Sequence, residues 1–150
     1  MRVTPKTRVA FDLDETLGVP MITSNAITGF HARPGCIDLL RELRDHYFLV
    51  LWSVSKRSYV DKALAGGLAA FFAQTYSWDE MPCEWKDIRR IGVDYLVDDS
   101  PHHRQAAERY AIGHRYIVVP AYGSAEDDAD PLAWAHQVQL ALAGRAQRRR

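Results

Sequence analysis

The chain has 150 residues, 47% of them hydrophobic and 25% charged, which is close to the average for soluble globular domains and argues against a disordered, fibrous or membrane-spanning protein. Lysine plus arginine equals aspartate plus glutamate at 19 each, so overall charge draws the domain neither to nucleic acid nor to a membrane surface. A chain of this size buries roughly 68–70% of the surface its unfolded form would expose, enough for one core.

The N-terminal basic residues Arg2, Lys6 and Arg8 are followed by Asp12 and Asp14, which interrupt what would have to be an apolar signal core, so no secretory leader is read there. The first predicted strand, Val9–Leu13, runs into those acids. Residues 17–32 have room only for a small flap. A helix is predicted over Gly35–Asp45, a strand over Phe48–Trp52 and a helix over Arg57–Leu64. The longest stretch free of strongly polar side chains, Ala63–Ala73, is eleven residues and falls short of the about 20 needed to cross a bilayer. Further along come a short strand within Phe71–Tyr76, a helix over Trp85–Ile91, a strand at Tyr95–Val97, a helix over Pro101–Ala111 and a strand at Tyr116–Val119.

The acids Glu126–Asp130 suit the positive end of a following helix, Pro131–Leu142, with Asp130 as its N-cap and Ser100 in the same role before Pro101. Residues 145–150 carry Arg145, Arg148, Arg149 and Arg150 and read as a frayed tail able to make a weak phosphate contact with nucleic acid. The alternation of strands and helices predicts an α/β fold, a doubly wound, Rossmann-like parallel sheet of about five strands. No repeat or linker divides it, so residues 1–150 form one domain. Cys36 and Cys83 make no CxxC pair and read as buried thiols, consistent with a reducing, cytoplasmic setting.

Four pieces bear chemistry. In Phe11-Asp12-Leu13-Asp14-Glu15-Thr16-Leu17, two acids spaced i, i+2 at a strand end point to the same side of an extended chain. Parallel α/β sheets bind ligands at the carboxyl ends of their strands, where these acids fall. Leu51-Trp52-Ser53 ends a strand in a hydroxyl. Lys86 sits in Trp85-Lys86-Asp87-Ile88, at the predicted opening of a helix. Tyr95-Leu96-Val97-Asp98-Asp99-Ser100 ends a strand in two adjacent acids, which repel each other unless a cation neutralises them.

Taken in order, acid pair, hydroxyl, lysine and acid pair resemble the four motifs of the haloacid dehalogenase superfamily. Arg33-Pro34-Gly35, the segment Val50 through Ser53, Ser55, Tyr59 and Asp61, then Trp85-Lys86-Asp87-Ile88 and Asp98-Asp99-Ser100-Pro101 narrow the resemblance to the NLI-interacting-factor-like phosphatases that act on the carboxy-terminal domain of RNA polymerase II. Ser53 stands where that group prefers threonine, which keeps the hydroxyl.

The resemblance implies a capless fold and a Mg²⁺-dependent phosphomonoesterase. Asp12 would be the nucleophile that forms an aspartyl-phosphate, and Asp14 the general acid and then the base. Ser53 and Lys86 would bind the phosphate. Asp12, Asp99 and the backbone carbonyl of Asp14 would hold the metal, with Asp98 supporting it or steering Lys86. The first-choice substrate is a phosphoserine or phosphothreonine protein. Nucleic-acid ends, small phosphorylated metabolites, and a non-catalytic phosphate- or partner-binding module stay open beside it.

Several other features carry less. Cys83 and Arg89 have the Cys-x5-Arg spacing of cysteine phosphatases, but Glu84, Trp85 and Asp87 would crowd or repel an anion there. His102 and His103 read as exposed first-turn residues. Arg57 is a candidate clamp on the substrate phosphate, against the plainer reading of a solvated helix residue. Trp78, Trp85 and Tyr122 read as packing residues rather than a groove.

Overall fold

A computed structural model describes residues 4–148, with side chains as far as Arg145. Five strands, β1 (Arg8–Phe11), β4 (Phe48–Trp52), β5 (Gln74–Tyr76), β6 (Tyr95–Asp98) and β7 (Tyr116–Val118), form one sheet in the order β5-β4-β1-β6-β7, and every pairing in it is parallel. Between β1 and β4 lie the antiparallel hairpin β2 (Gly18–Thr23) with β3 (Ala26–Ala32), and the helix α1 (Cys36–Arg44). The remaining helices are α2 (Arg57–Ala63), α3 (His102–Glu108), α4 (Ala125–Ala129) and α5 (Ala133–Arg148). Among the described residues no helix is long and apolar enough to cross a membrane.

β4 is hydrophobic along its whole length, and β1 and β6 are so except for Arg8 at the start of one and Asp98 at the end of the other, because both faces of the sheet are covered. Val9, Phe11, Leu49, Leu51 and Val97 point to a core shared with Leu39, Leu40 and Leu43 of α1 and Trp134, Val138 and Leu142 of α5. Ala10, Val50, Trp52 and Leu96 point the other way, against Ile88, Val93, Tyr116 and Ala107 of α3. Leu51 is fully buried, and truncating it to alanine would cost about 2–5 kcal/mol. This is the predicted doubly wound architecture, and the register sets the site. Phe11 lies level with Leu51 of β4 and Val97 of β6, so the residues that follow all three strands emerge along one edge.

Two glycines are demanded by geometry. Gly35 precedes α1 at φ 84°, in the left-handed region, where a side chain would be strained. At Gly18, the root of the hairpin, a Cβ would sit 2.0 Å from the His31 carbonyl oxygen, so only glycine lets the two strands close.

Several predicted elements need correction. No helix forms over Trp85–Ile91, where only a 3-10 turn, Ile88–Arg90, exists. The strand within Phe71–Tyr76 is confined to β5, because Ala69–Phe71 is itself a 3-10 turn. Pro101, rather than Ser100, caps α3, and the Ser100 hydroxyl accepts from the His102 amide at 3.4 Å. The acids at 126–130 do not simply precede the last helix. They build α4, capped by Ser124, whose hydroxyl accepts from the Asp127 amide. The last helix begins at Ala133 and continues to Arg148, past the predicted Leu142. Arg145 is therefore part of a helix rather than a frayed tail, with its guanidinium 5.0 Å from the centre of the Tyr95 ring. Arg149 and Arg150 lie outside the described residues.

Candidate active site

Asp12 follows β1 directly, and its amide donates to the Val97 carbonyl at 2.9 Å, extending the β1–β6 ladder one residue further. That places its carboxylate beside Asp98, the last residue of β6. Lys86 reaches between them, with Nζ 2.7 Å from Asp12 Oδ1 and 2.9 Å from Asp98 Oδ2. The lysine is 1% exposed. Burial alone would pull its pKa down, but the two carboxylates more than reverse this, so it stays charged.

The absence of the expected helix around Lys86 has a physical cause. Its amide donates to His103 Nδ1 at 2.9 Å, its carbonyl accepts from the Tyr116 hydroxyl at 2.8 Å, and Tyr116 in turn accepts from the Ile88 amide at 3.0 Å. Of these groups the Lys86 carbonyl is the one a helix over 85–91 would have paired, with the Arg90 amide, which bonds the Asp87 carbonyl at 3.0 Å instead. The result is a pinned loop that aims Nζ at Asp12. His103 thus departs from its expected exposed role. It is half-buried, and burial, with Lys86 next in weight, lowers its pKa to about 4, so it serves as a neutral acceptor. His102 is exposed as expected.

Asp12, Asp98 and Asp99 offer carboxylate oxygens within 4.8 Å of one another. Thr16 stitches this group together, its hydroxyl 2.9 Å from Asp12 Oδ2 and 2.9 Å from Asp99 Oδ1 while accepting from the Asp99 amide at 3.0 Å. A single hydroxyl proton can serve only one of the two carboxylates at a time. Burial, then the hydrogen bond and charge of Asp12, push Asp99 up to about 7. Burial likewise raises Asp98 against the pull of Lys86, and the Ser100 amide donates to its Oδ1. Three clustered carboxylates face one lysine, a donor set of hard oxygens that fits Mg²⁺.

Ser53 follows β4, is buried, and donates its amide to the Tyr76 carbonyl at 2.9 Å. Its hydroxyl accepts from the Ser55 amide at 3.0 Å. The Tyr59 hydroxyl donates to Asp14 Oδ1 and the Ser55 hydroxyl to Oδ2 at 3.1 Å. Burial raises the pKa of Asp14, and these two bonds oppose the rise. Burial and the neighbouring Asp14 push the Tyr59 hydroxyl well above its ordinary value, so it remains a donor.

Arg57 is engaged within the fold. Its guanidinium pairs with Glu80 and Asp61 and bonds both the hydroxyl and the carbonyl of Thr75. Cys83 is half-buried rather than buried, and burial raises its thiol, which argues further against a cysteine nucleophile. Trp85 packs as expected, stacked on Tyr110, whereas Trp78 is 44% exposed.

Residues whose roles the motifs did not disclose complete the site. Thr16 has a local signal, four residues after Asp12 in one turn, and His103 has none. Behind the loop, Arg33 ion-pairs with buried Asp127 of α4, and its other nitrogen bonds the carbonyls of Thr16 and Pro120 at 3.2 and 2.9 Å. Its guanidinium lies 4.5 Å from the Trp134 ring.

Comparison with known proteins fits this geometry. No curated protein matches the chain. Among solved structures, Fcp1, described as an essential RNA polymerase II CTD phosphatase, matches with a TM-score of 0.59 and 16% identity over 78% of this chain. A putative β-phosphoglucomutase from Thermotoga maritima matches at 0.57, with 14% identity over 79% of this chain and 87% of its own. A haloacid dehalogenase-like hydrolase from Streptococcus pneumoniae matches at 0.56, with 16% identity over 81% of this chain and 89% of its own. The chain spans 42% of the Fcp1 chain, and at these identities the likeness shows the shared haloacid dehalogenase-like fold. The model of NLI interacting factor-like phosphatases matches residues 7–113, well over half of the sequence, and the chain belongs to that phosphatase family.

Proposed function

We propose that the protein is a Mg²⁺-dependent phosphomonoesterase that works through an aspartyl-phosphate on Asp12. The observation that carries this reading is the separation of two neighbouring acids by their surroundings. Asp12 is ion-paired with Lys86, whereas Asp14, two residues on, is raised by burial and bonded only to hydroxyls. A nucleophile and a proton carrier need opposite environments of this kind.

Asp12 attacks phosphorus while Asp14 gives its proton to the leaving oxygen. Asp14 then takes a proton from the water that cleaves the acyl phosphate, so one hard step becomes two easier ones. Ser53 donates its hydroxyl to a phosphoryl oxygen, and Lys86 offsets the charge of the incoming anion. Asp12, Asp99 and the Asp14 carbonyl would hold the Mg²⁺, whose charge reduces the repulsion between carboxylate and phosphate. Asp98, tied to Lys86 and the Ser100 amide, orients the lysine. Arg57 is omitted from substrate binding because Glu80, Asp61 and Thr75 occupy it.

The substrate proposed first is a phosphoserine or phosphothreonine protein. The family match and the likeness to Fcp1 support it, as does the small size of the insert after β1, a single hairpin of two strands. The test is release of p-nitrophenol from its phosphate ester by wild type and Asp12→Asn, each with Mg²⁺ and with EDTA. Turnover that requires both Asp12 and metal is the expected outcome. Equal silence of both proteins with every divalent ion and with phosphopeptides would refute the reading.

A further inference from the structure

The hydrogen bonds on Asp14 are unlike those on any other acid of the site. Asp12, Asp98 and Asp99 are tied to one another through Lys86 and Thr16, whereas both oxygens of Asp14 are held by hydroxyls from the segment after β4, Ser55 and Tyr59. The two donors differ in freedom. Ser55 lies in a loop, and its hydroxyl can rotate to donate to a carboxylate or to accept from a carboxylic acid. Tyr59 lies in the first turn of α2, its amide bonded to the Lys56 carbonyl and its ring packed on the main core, so its hydroxyl is delivered on a rigid arm to one oxygen, Oδ1.

Resting on the phosphatase reading above, we propose that Tyr59 is a positioning residue for the acid–base carboxyl. By holding Oδ1 it fixes the plane of the Asp14 carboxyl and leaves Oδ2, beside the turnable Ser55 hydroxyl, to exchange the proton with the substrate. In the first step a bond forms from an Asp12 oxygen to phosphorus and the bond from phosphorus to the leaving oxygen breaks. The electron pair stays on that oxygen, which takes the proton from Asp14 Oδ2. In the second, water attacks phosphorus, its proton passes to Oδ2, and the bond from Asp12 to phosphorus breaks.

Tyr59 therefore matters in proportion to how badly the leaving oxygen needs a proton. A substitution that merely loosened the fold would slow all substrates alike. The experiment measures kcat/KM, which covers only the steps through departure of the leaving group, for a series of aryl phosphates from p-nitrophenyl to p-methoxyphenyl. Wild type, Tyr59→Phe and Ser55→Ala are compared, with Asp12→Asn as the inactive reference. Tyr59→Phe is expected to lose about 10- to 100-fold on the most basic leaving group and less than about threefold on p-nitrophenyl phosphate, steepening the dependence on leaving-group basicity. Ser55→Ala is expected to steepen it less.

The ratio within the series does not depend on the folded fraction, so a destabilised variant still tests the assignment. A parallel drop across the series, or no drop, overturns it while leaving the phosphatase reading intact. A wild type no faster than Asp12→Asn overturns both.

Discussion

Lys86 and Arg33 are both buried cations, yet their surroundings are built on opposite principles. Arg33 meets one carboxylate, Asp127, gives Nη1 to the carbonyls of Thr16 and Pro120 and its flat face to Trp134, and keeps Nε buried without a hydrogen-bond partner. Its charge is balanced inside the fold, and it ties together the turn after β1, the exit from β7, α4 and α5. Lys86 meets Asp12 and Asp98, with Asp99 close behind, so its surroundings keep an excess of negative charge. A balanced pair can serve only to hold the chain. An unbalanced one stores an attraction for a further cation, and through it for a phosphate.

Replacing each pair with apolar residues puts this contrast under the greatest load. Arg33→Met and Lys86→Met should each lose about 3–5 kcal/mol in urea unfolding, since each strands a buried carboxylate. Arg33→Met with Asp127→Leu should regain most of that stability and keep turnover. Lys86→Met with Asp98→Leu should regain only part of it, because Asp12 is still left without its cation, and remain about 10³-fold or more below wild type in hydrolysis of p-nitrophenyl phosphate. Equal rescue of activity at both places would show that Lys86, too, is only structural.

Metal affinity comes next in size. Without a cation Asp99 holds its proton up to about 7, so the metal-free fold is favoured where Asp99 is protonated and loses that advantage as pH rises toward 7. Binding Mg²⁺ below that pH must expel the proton, weakening apparent affinity by up to about tenfold per pH unit. The rise in Tm on adding Mg²⁺ should therefore be large at about pH 8 and small at about pH 5.5, and Asp99→Asn should flatten it. A rise independent of pH would separate the metal from Asp99.

Thr16→Val removes the hydroxyl shared by Asp12 and Asp99 and should cost about 1–3 kcal/mol of stability, read in the same urea titrations. Arg57→Ala marks the small end. It should leave kcat/KM within about twofold and cost less than about 1 kcal/mol, because its pairs with Glu80 and Asp61 are partly exposed to solvent.

The contrast between the two cations also explains how far the sequence alone could be read. Lys86 and its acids stand at the ends of hydrophobic strands, and once β1, β4 and β6 are recognised as parallel, Asp12, Ser53, Asp98 and Asp99 fall on one edge by register. The flap was legible too, as a short stretch with nowhere else to go. Asp127 was not legible, because its partner is 94 residues away and its acidic neighbours resemble an ordinary helix start. His103 and Tyr116 hid for the same reason, since each acts on the Lys86 backbone from a distant element and so replaces the helix that local propensity favours over 85–91. The last helix outran its predicted end because no glycine or proline stop stands between Leu142 and Arg148 except Gly144, which the helix absorbs.

The tip of the flap bears on how such a protein diversifies. Ser24 and Asn25 both have positive φ, 50° and 64°, the two-residue turn that matches the twist of an antiparallel hairpin. Strand side chains alternate, so adding one residue to each arm of the hairpin turns over the face that its tip presents, whereas adding two preserves it. The flap can thus be lengthened in steps that keep its outward residues outward, without disturbing Gly18 at its root or the acids just before it. Reach over the strand-end edge and the chemistry beneath it are separately adjustable, which lets a lineage change what it admits before changing what it does.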